Sequence, residues 1–167
     1  MDIMAASMYS FFMGKTFDPN ELLIKPLMSN LATMSKDGPR NAPAWFIWED
    51  AAIWLLGSKD GSSVHRLQAD PRCAVEVVHF DNEAGILLHL GFRGAATVEA
   101  MDTARFRRLL AKYLGSDESS WNLWFIENVA AIDDPDGRLI RLVPETTFTN
   151  NVSYFRTGPH YAWPTDP

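Results

Sequence analysis

Between residues 30 and 99 the chain reads as short runs in which apolar and polar positions alternate, separated by turn residues. The alternation and the β-branched and aromatic content predict strands over 30–35, 41–48, 52–57, 72–80 and 86–99. Turns fall at Lys36-Asp37-Gly38-Pro39, Glu49-Asp50 and Asp81-Asn82. A further strand is expected in RLIRLVPETTF, near Leu139 to Phe148, after the turn Asp133-Asp134-Pro135-Asp136-Gly137. The helical signals are fewer. Asp18 at the cap, Pro19 at the first helical position and Glu21 three residues after the cap open a helix that Pro26 ends early. Asp102 caps another, in which Phe106, Leu109, Leu110 and Tyr113 form an apolar stripe, Arg105, Arg107, Arg108 and Lys112 occupy the other faces, the arginines as a solvated face, and Gly115 is the stop. A third, near 118–129, carries Trp121, Trp124, Phe125 and Val129. Many short strands with few helices indicate a mainly β (α+β) architecture, an antiparallel barrel with peripheral helices.

The stretch Leu55 to Ala74, LLGSKDGSSVHRLQADPRCA, carries the clearest chemistry. An apolar run breaks into a hydroxyl-rich loop, resumes as a short helix and closes on Asp70-Pro71-Arg72. Ser62 or Ser63 is expected to cap the helix, so that first-turn N–H groups and the positive dipole end face the loop. His65 and Arg66 follow one turn in. A phosphate placed there would meet backbone donors, hydroxyls and a guanidinium able to bind it bidentately. Arg66 ranks ahead of Lys59, which the loop leaves in solvent.

Composition narrows the function. The 167 residues, 47% apolar, suit a single domain with a full core, taken as residues 1–167. Fifteen basic against 21 acidic residues give a formal charge of -6, which argues against a nucleic-acid surface. The one cysteine, Cys73, excludes an intramolecular disulfide; in a buried strand it reads as a small core residue, consistent with a reducing cytoplasm. The N-terminal MDIMAASMYSFFMG lacks a basic region ahead of its apolar residues, and no stretch reaches the ~18 apolar residues that a membrane span needs. His79, His89 and His160 match no metal-ligand spacing, and no serine sits in a GxSxG elbow.

The order of these pieces resembles the pyridoxamine 5′-phosphate oxidase-like, FMN-binding split-barrel family. The matching features are Leu31-Ala32-Thr33 before Asp37-Gly38-Pro39, Pro43-Ala44-Trp45-Phe46-Ile47-Trp48, the helix Val64 to Leu67 ahead of Asp70-Pro71-Arg72, and Gly94-Ala95-Ala96 before Val98-Glu99. The resemblance runs over roughly residues 20 to 115. It implies a split barrel, a homodimer and paired FMN sites. Carried across by position, Pro43, Ala44, Trp45 and Phe46 lie along the flavin, with Leu56, Gly57 and Ser58 on the adjacent strand. Ser62, Ser63, His65 and Arg66 then surround the phosphate, and His89 comes from the strand that faces the dimer partner. The chain departs from the pattern where many relatives place a lysine and this one has Ser63.

A flavin accepts hydride itself, so the absence of an evident acid–base residue is expected. The resemblance implies an FMN-dependent oxidoreductase or flavin reductase-like protein acting on a small organic substrate. An F420-dependent reductase of the same fold and a non-catalytic flavin- or haem-binding protein are the alternatives. Pyridoxamine phosphate oxidase activity itself is disfavoured, because Arg156 to Trp163 do not match the family's arginine-rich substrate segment.

Overall fold

A computed structural model of the chain describes residues 17–128 and 135–153. The chain order is α1 (Asn20–Leu23), β1 (Ser29–Ser35), β2 (Gly38–Ala44), β3 (Phe46–Glu49), β4 (Ala52–Ser58), α2 (Ser62–Ala69), β5 (Arg72–Asp81) and β6 (Ile86–Ala100). It continues with α3 (Thr103–Leu114), a 3-10 turn (Glu118–Ser120), α4 (Leu123–Asn128), β7 (Gly137–Leu142) and β8 (Thr146–Asn151). The strands join in the order β2-β1-β5-β6-β7-β4-β3, with β8 also on β6, and every pairing is antiparallel. The two ends of that series, β2 and β3, are consecutive in the chain and joined by Trp45 alone. The sheet therefore curls back on itself without closing, which is the split antiparallel barrel with peripheral helices that the sequence implied.

Alternation decides which face is inside. On β1, Ser29, Leu31 and Thr33 are buried while Asn30, Ala32 and Met34 face outward. On β5, Val75 and Val77 go inside and Glu76 and Val78 outside. Phe46, Ile53, Leu55, Leu90, Phe92, Ile140 and Leu142 fill the same interior, and α2 plugs it with Val64 and Leu67. Each such side chain stabilises the fold by roughly 1.5–3 kcal/mol through burial alone. Cys73 faces Thr33 across β1 and β5, and burial pushes its thiol up to about 11, away from nucleophile chemistry.

Several expectations need correction. The strand expected over 41–48 is two strands, because the chain passes at Trp45 from one edge of the sheet to the other. The run near Leu139 to Phe148 also divides, into β7 and β8. Pro144 has no N–H to extend a ladder, and the Glu145 N–H instead donates to the Arg93 carbonyl at 2.9 Å. Both pieces still lie on the same edge of β6, β7 against Ala96–Ala100 and β8 against Leu88–Arg93. The helix near 118–129 is a 3-10 turn followed by α4; Val129, Asp133, Asp134, His160, Arg156 to Trp163 and the N-terminal apolar segment lie outside the described residues. The cap of α2 is Gly61, not Ser62 or Ser63. Gly61 donates to the Ser58 carbonyl at 2.9 Å and accepts from His65 N–H at 3.0 Å, and a Cβ there would stand 3.0 Å from both Ser58 oxygens. The turn is too tight for the hydroxyl-bearing residue to occupy the cap.

The solvated face expected of α3 is also wrong in part. Asp102 does cap the helix, accepting from Arg105 N–H at 3.0 Å, and Gly115 ends it at φ 96°. Arg105, however, is only 13% exposed. Its guanidinium bonds Glu49 at 2.9 Å and Asp50 at 2.6 Å and lies 3.7 Å from the Trp54 ring centroid. Arg108 adds two bonds to Glu49, at 2.6 and 2.7 Å. These contacts hold the β3–β4 hairpin, whose loop residues Asp50 and Ala51 both have φ 53°, the handedness a two-residue loop requires. The Arg108 hydrogen bonds, followed by those of Arg105, keep the Glu49 carboxyl below its usual range despite partial burial.

Candidate cofactor cleft

The split is where backbone becomes free. β3 pairs with β4 from Phe46↔Leu55 to Glu49↔Ala52, while β4 runs on through Leu56, Gly57 and Ser58 with only β7 beside it. On the other side of the gap, Pro43 and Ala44 have already left to pair with Asn30 and Ser29 of β1. From Leu56 on, β4 thus has no strand beside it on the β3 side; the Ser58 carbonyl accepts from Gly61 N–H at 2.9 Å, and the Leu56 side chain, 44% exposed, borders the gap. Gly57 keeps this strand close to α2: a Cβ there would come within 2.8 Å of Val64 Cγ2. The start of α2 follows directly, with the Ser58 and Ser62 side chains exposed and Ser63 half-buried.

Not every expected residue presents what was assigned to it. The Trp45 ring stacks on Tyr113 at 4.5 Å and 3° and on Phe125 at 5.8 Å, so it packs under α3 and α4. Phe46 is fully buried; its N–H donates to the Tyr113 hydroxyl at 3.0 Å, and its carbonyl accepts from Lys112 Nζ at 3.1 Å. His65 Nε2 lies 3.1 Å from the Lys59 carbonyl and closes the loop on itself. Arg66 turns from the loop toward β1, where its Nε donates to buried Thr33 Oγ1 at 2.8 Å. Lys59 sits 3.6 Å from Asp136, and both are exposed. The loop and helix start therefore offer hydroxyls and first-turn N–H groups, with Arg66 one turn in and not paired to a carboxylate among the described residues.

His89 stands apart from all of these. It lies on the outer face of β6, opposite Val78 of β5 and Asn150 of β8, with Phe148 edge-on at 5.1 Å. Its Nε2 is buried, makes no hydrogen bond among the described residues and lies 3.5 Å from Glu76 Oε1. Within one chain it does not reach the gap.

Two residues of α3 went unrecognised as part of this region. The Tyr113 hydroxyl accepts from Phe46 and donates to the Leu27 carbonyl at 2.7 Å, tying the α1–β1 connection to the β2–β3 joint; burial pushes it up to about 12. Lys112 Nζ lies 3.4 Å from the Phe46 ring centroid, and burial pulls its pKa down to about 7, against the ring face and the carbonyl, which favour the charged form. The one sequence signal was the place of Tyr113 in the apolar stripe of α3 and of Lys112 beside it. Among the described residues no cluster of His, Cys, Asp and Glu could hold a metal, and no helix is long and apolar enough to cross a membrane.

An open antiparallel barrel with a lined gap at its split is a split-barrel protein. The family model described as pyridoxamine 5′-phosphate oxidase matches residues 20–151, and the chain belongs to that family. Among solved structures, a conserved hypothetical protein from Mycobacterium tuberculosis is similar at a TM-score of 0.66 and 18% identity, covering 90% of this chain and 93% of that one. A protein described as an F420 reductase is similar at 0.61 and 23% identity, covering 80% of this chain and 98% of its own. A haem storage protein from Vibrio cholerae is similar at 0.58 and 19%, covering 78% and 91%. At these identities the likeness is one of fold. No curated protein matches the chain in sequence.

Proposed function

We propose that the protein is an FMN-dependent oxidoreductase, flavin reductase-like, that acts on a small organic substrate in the cytoplasm as a single-domain homodimer. The observation that carries this reading is the gap at the split, where β4 runs on past the end of its pairing with β3 and an exposed Leu56 side chain leads into the start of α2. An apolar side chain beside a strand edge that β3 does not cover suits a flat heteroaromatic ring with a polar edge. Ser62, Ser63 and the helix start suit a phosphate, with Arg66 supplying the charge. Bound there, the flavin would supply hydride transfer; the chain's own residues orient it, donate to its polar edge and keep water away. No side chain is assigned a catalytic role.

His89 supports the dimer. With the half-buried imidazole, Val78 (37% exposed) and Phe80 (60% exposed) form an outer patch that a second copy would cover, bringing His89 to that copy's gap. The second reading, an F420-dependent reductase, is favoured by the F420 reductase among the structural neighbours. A haem or flavin carrier without turnover is the third.

One titration series separates these readings. Apo-protein is titrated with FMN, riboflavin, F420 and haem, and the loaded protein is assayed with NADH and NADPH. FMN should bind about tenfold or more tighter than riboflavin, the equivalent of a hydrogen bond to a charged group, and Arg66→Ala should erase much of the difference. Equal affinities would remove the phosphate site, tighter F420 or haem would replace the cofactor, and binding without turnover would leave a carrier. Light scattering at low micromolar concentration should give the dimer mass; a monomer that binds FMN stoichiometrically would end the shared-site proposal.

A further inference from the structure

At the opposite end of the strands that carry His89 lies a depression of about 270 Å³. It opens where β1 stops pairing with β5 at Thr33↔Cys73 and continues toward Ser35 beside β2 alone. Its floor is apolar and shallow, from Ala32, Met34, Pro39 and Ala74, and its two charged lining residues are Arg72 and Arg93. No carboxylate lines it, on a chain whose formal charge is -6.

The two arginines are not equivalent. Arg72 is exposed and already bonded to Asp70 through Nε at 2.9 Å and Nη2 at 2.6 Å, so it is largely neutralised. Arg93 has no carboxylate partner among the described residues. Its Cζ lies 5.4 Å from the Phe148 ring centroid, a contact that leaves in-plane N–H edges for an acceptor. Phe148 lies against Gly91, where any Cβ would overlap the ring, so the absent side chain at 91 is what lets the ring rest on the sheet within reach of Arg93. By contrast Arg105, Arg107 and Arg108 are all held by carboxylates.

We infer that this depression is a binding site for a small organic anion, a phosphate monoester or carboxylate with one ring or a short apolar body, held by Arg93 over the Ala32–Ala74 floor. The size fits one ring, since clefts for larger ligands run to about 300–1,000 Å³. The adjoining depression, which shares Ala32, Pro39 and Ala74, is lined by both Arg40 and Glu76 and so carries no net preference of sign at the far end of the ligand.

Phenyl phosphate titrated into isotope-labelled protein tests this by amide shifts. The amides of Ala32, Ala74 and Arg93 should move together. Arg93→Gln should weaken binding about tenfold or more, Arg93→Lys less, and Arg107→Gln not at all. Shifts confined to Ser62 and Ser63, binding unchanged in Arg93→Gln, or inorganic phosphate binding as tightly as phenyl phosphate would each overturn the proposal. Competition by FMN at the same amides would identify the anion as the cofactor's own phosphate; phenyl phosphate binding undisturbed by FMN would identify a separate ligand.

Discussion

The clamp of α3 on the β3–β4 hairpin and the outer face of β1, β5, β6 and β8 use the same residue types for opposite ends. On the clamp, Arg105 and Arg108 are bonded to Glu49 and Asp50, Trp54 lies beneath Arg105, and Lys112 and Tyr113 take up the polar groups of Phe46. On the outer face the Ala32–Ala74 floor is small-sided, and among the described residues Arg93 has a ring but no carboxylate beside it and His89 Nε2 has no hydrogen bond. Charge satisfied within the chain holds shape; charge left over is what a ligand or a second chain can use. The acidic total says nothing about where the leftover charge lies.

The largest test of this contrast is Phe46→Ala, which empties a fully buried site and removes the ring beneath Lys112 Nζ while leaving the main-chain bonds to Lys112 and Tyr113 in place. It should cost about 3–5 kcal/mol in denaturant unfolding. A loss below about 1 kcal/mol would mean that the Phe46 ring is not a packed part of the core. Next, Gly91→Ala forces the Phe148 ring off the outer face and should cost about 1–3 kcal/mol. In Phe148→Ala the same change should cost far less, since the overlapping ring is gone. Equal costs in both backgrounds would show that the ring is not what Gly91 accommodates.

Glu49→Gln should cost about 1–2 kcal/mol at neutral pH, allowing for solvent screening at the hairpin rim. The folded carboxyl is held below its ordinary 4.5, so its contribution is present above that value and lost as pH falls through the folded pKa. Variant and wild type should therefore converge in acid melts; a gap that persists there would assign the loss to packing. The smallest effect is Ala51→Gly. Ala51 stands at φ 53° without a side chain that bonds its own backbone, and glycine there should stabilise the protein by about 0.5–1 kcal/mol in thermal unfolding.

The legible parts were those fixed by neighbours in sequence. The β1–β2, β3–β4 and β5–β6 hairpins, the Asp102 cap and the Gly115 stop follow from period-two alternation, turn residues and local hydrogen bonds. What alternation cannot encode is where a strand changes partners, so Trp45 and Pro144 read as interior to strands that they in fact divide. Arg105 reads as solvated because its partners Glu49 and Asp50 lie more than fifty positions away. A separation of 33 positions likewise hides the bond from Arg66 to Thr33. Gly91 is silent without Phe148 on the neighbouring strand.

The single-residue joint at Trp45 also sets a timetable for the growing chain. β3 and β4 can pair as soon as they leave the ribosome, yet the other edge of β4 waits for β7, about eighty residues later. At synthesis rates of ~5–20 residues per second that is several seconds with an apolar strand edge uncovered. Ile53, Trp54 and Leu55 are then the residues most open to a wrong neighbour. A nascent chain halted before Gly137 should for that reason be far more prone to aggregate than one released after Leu142.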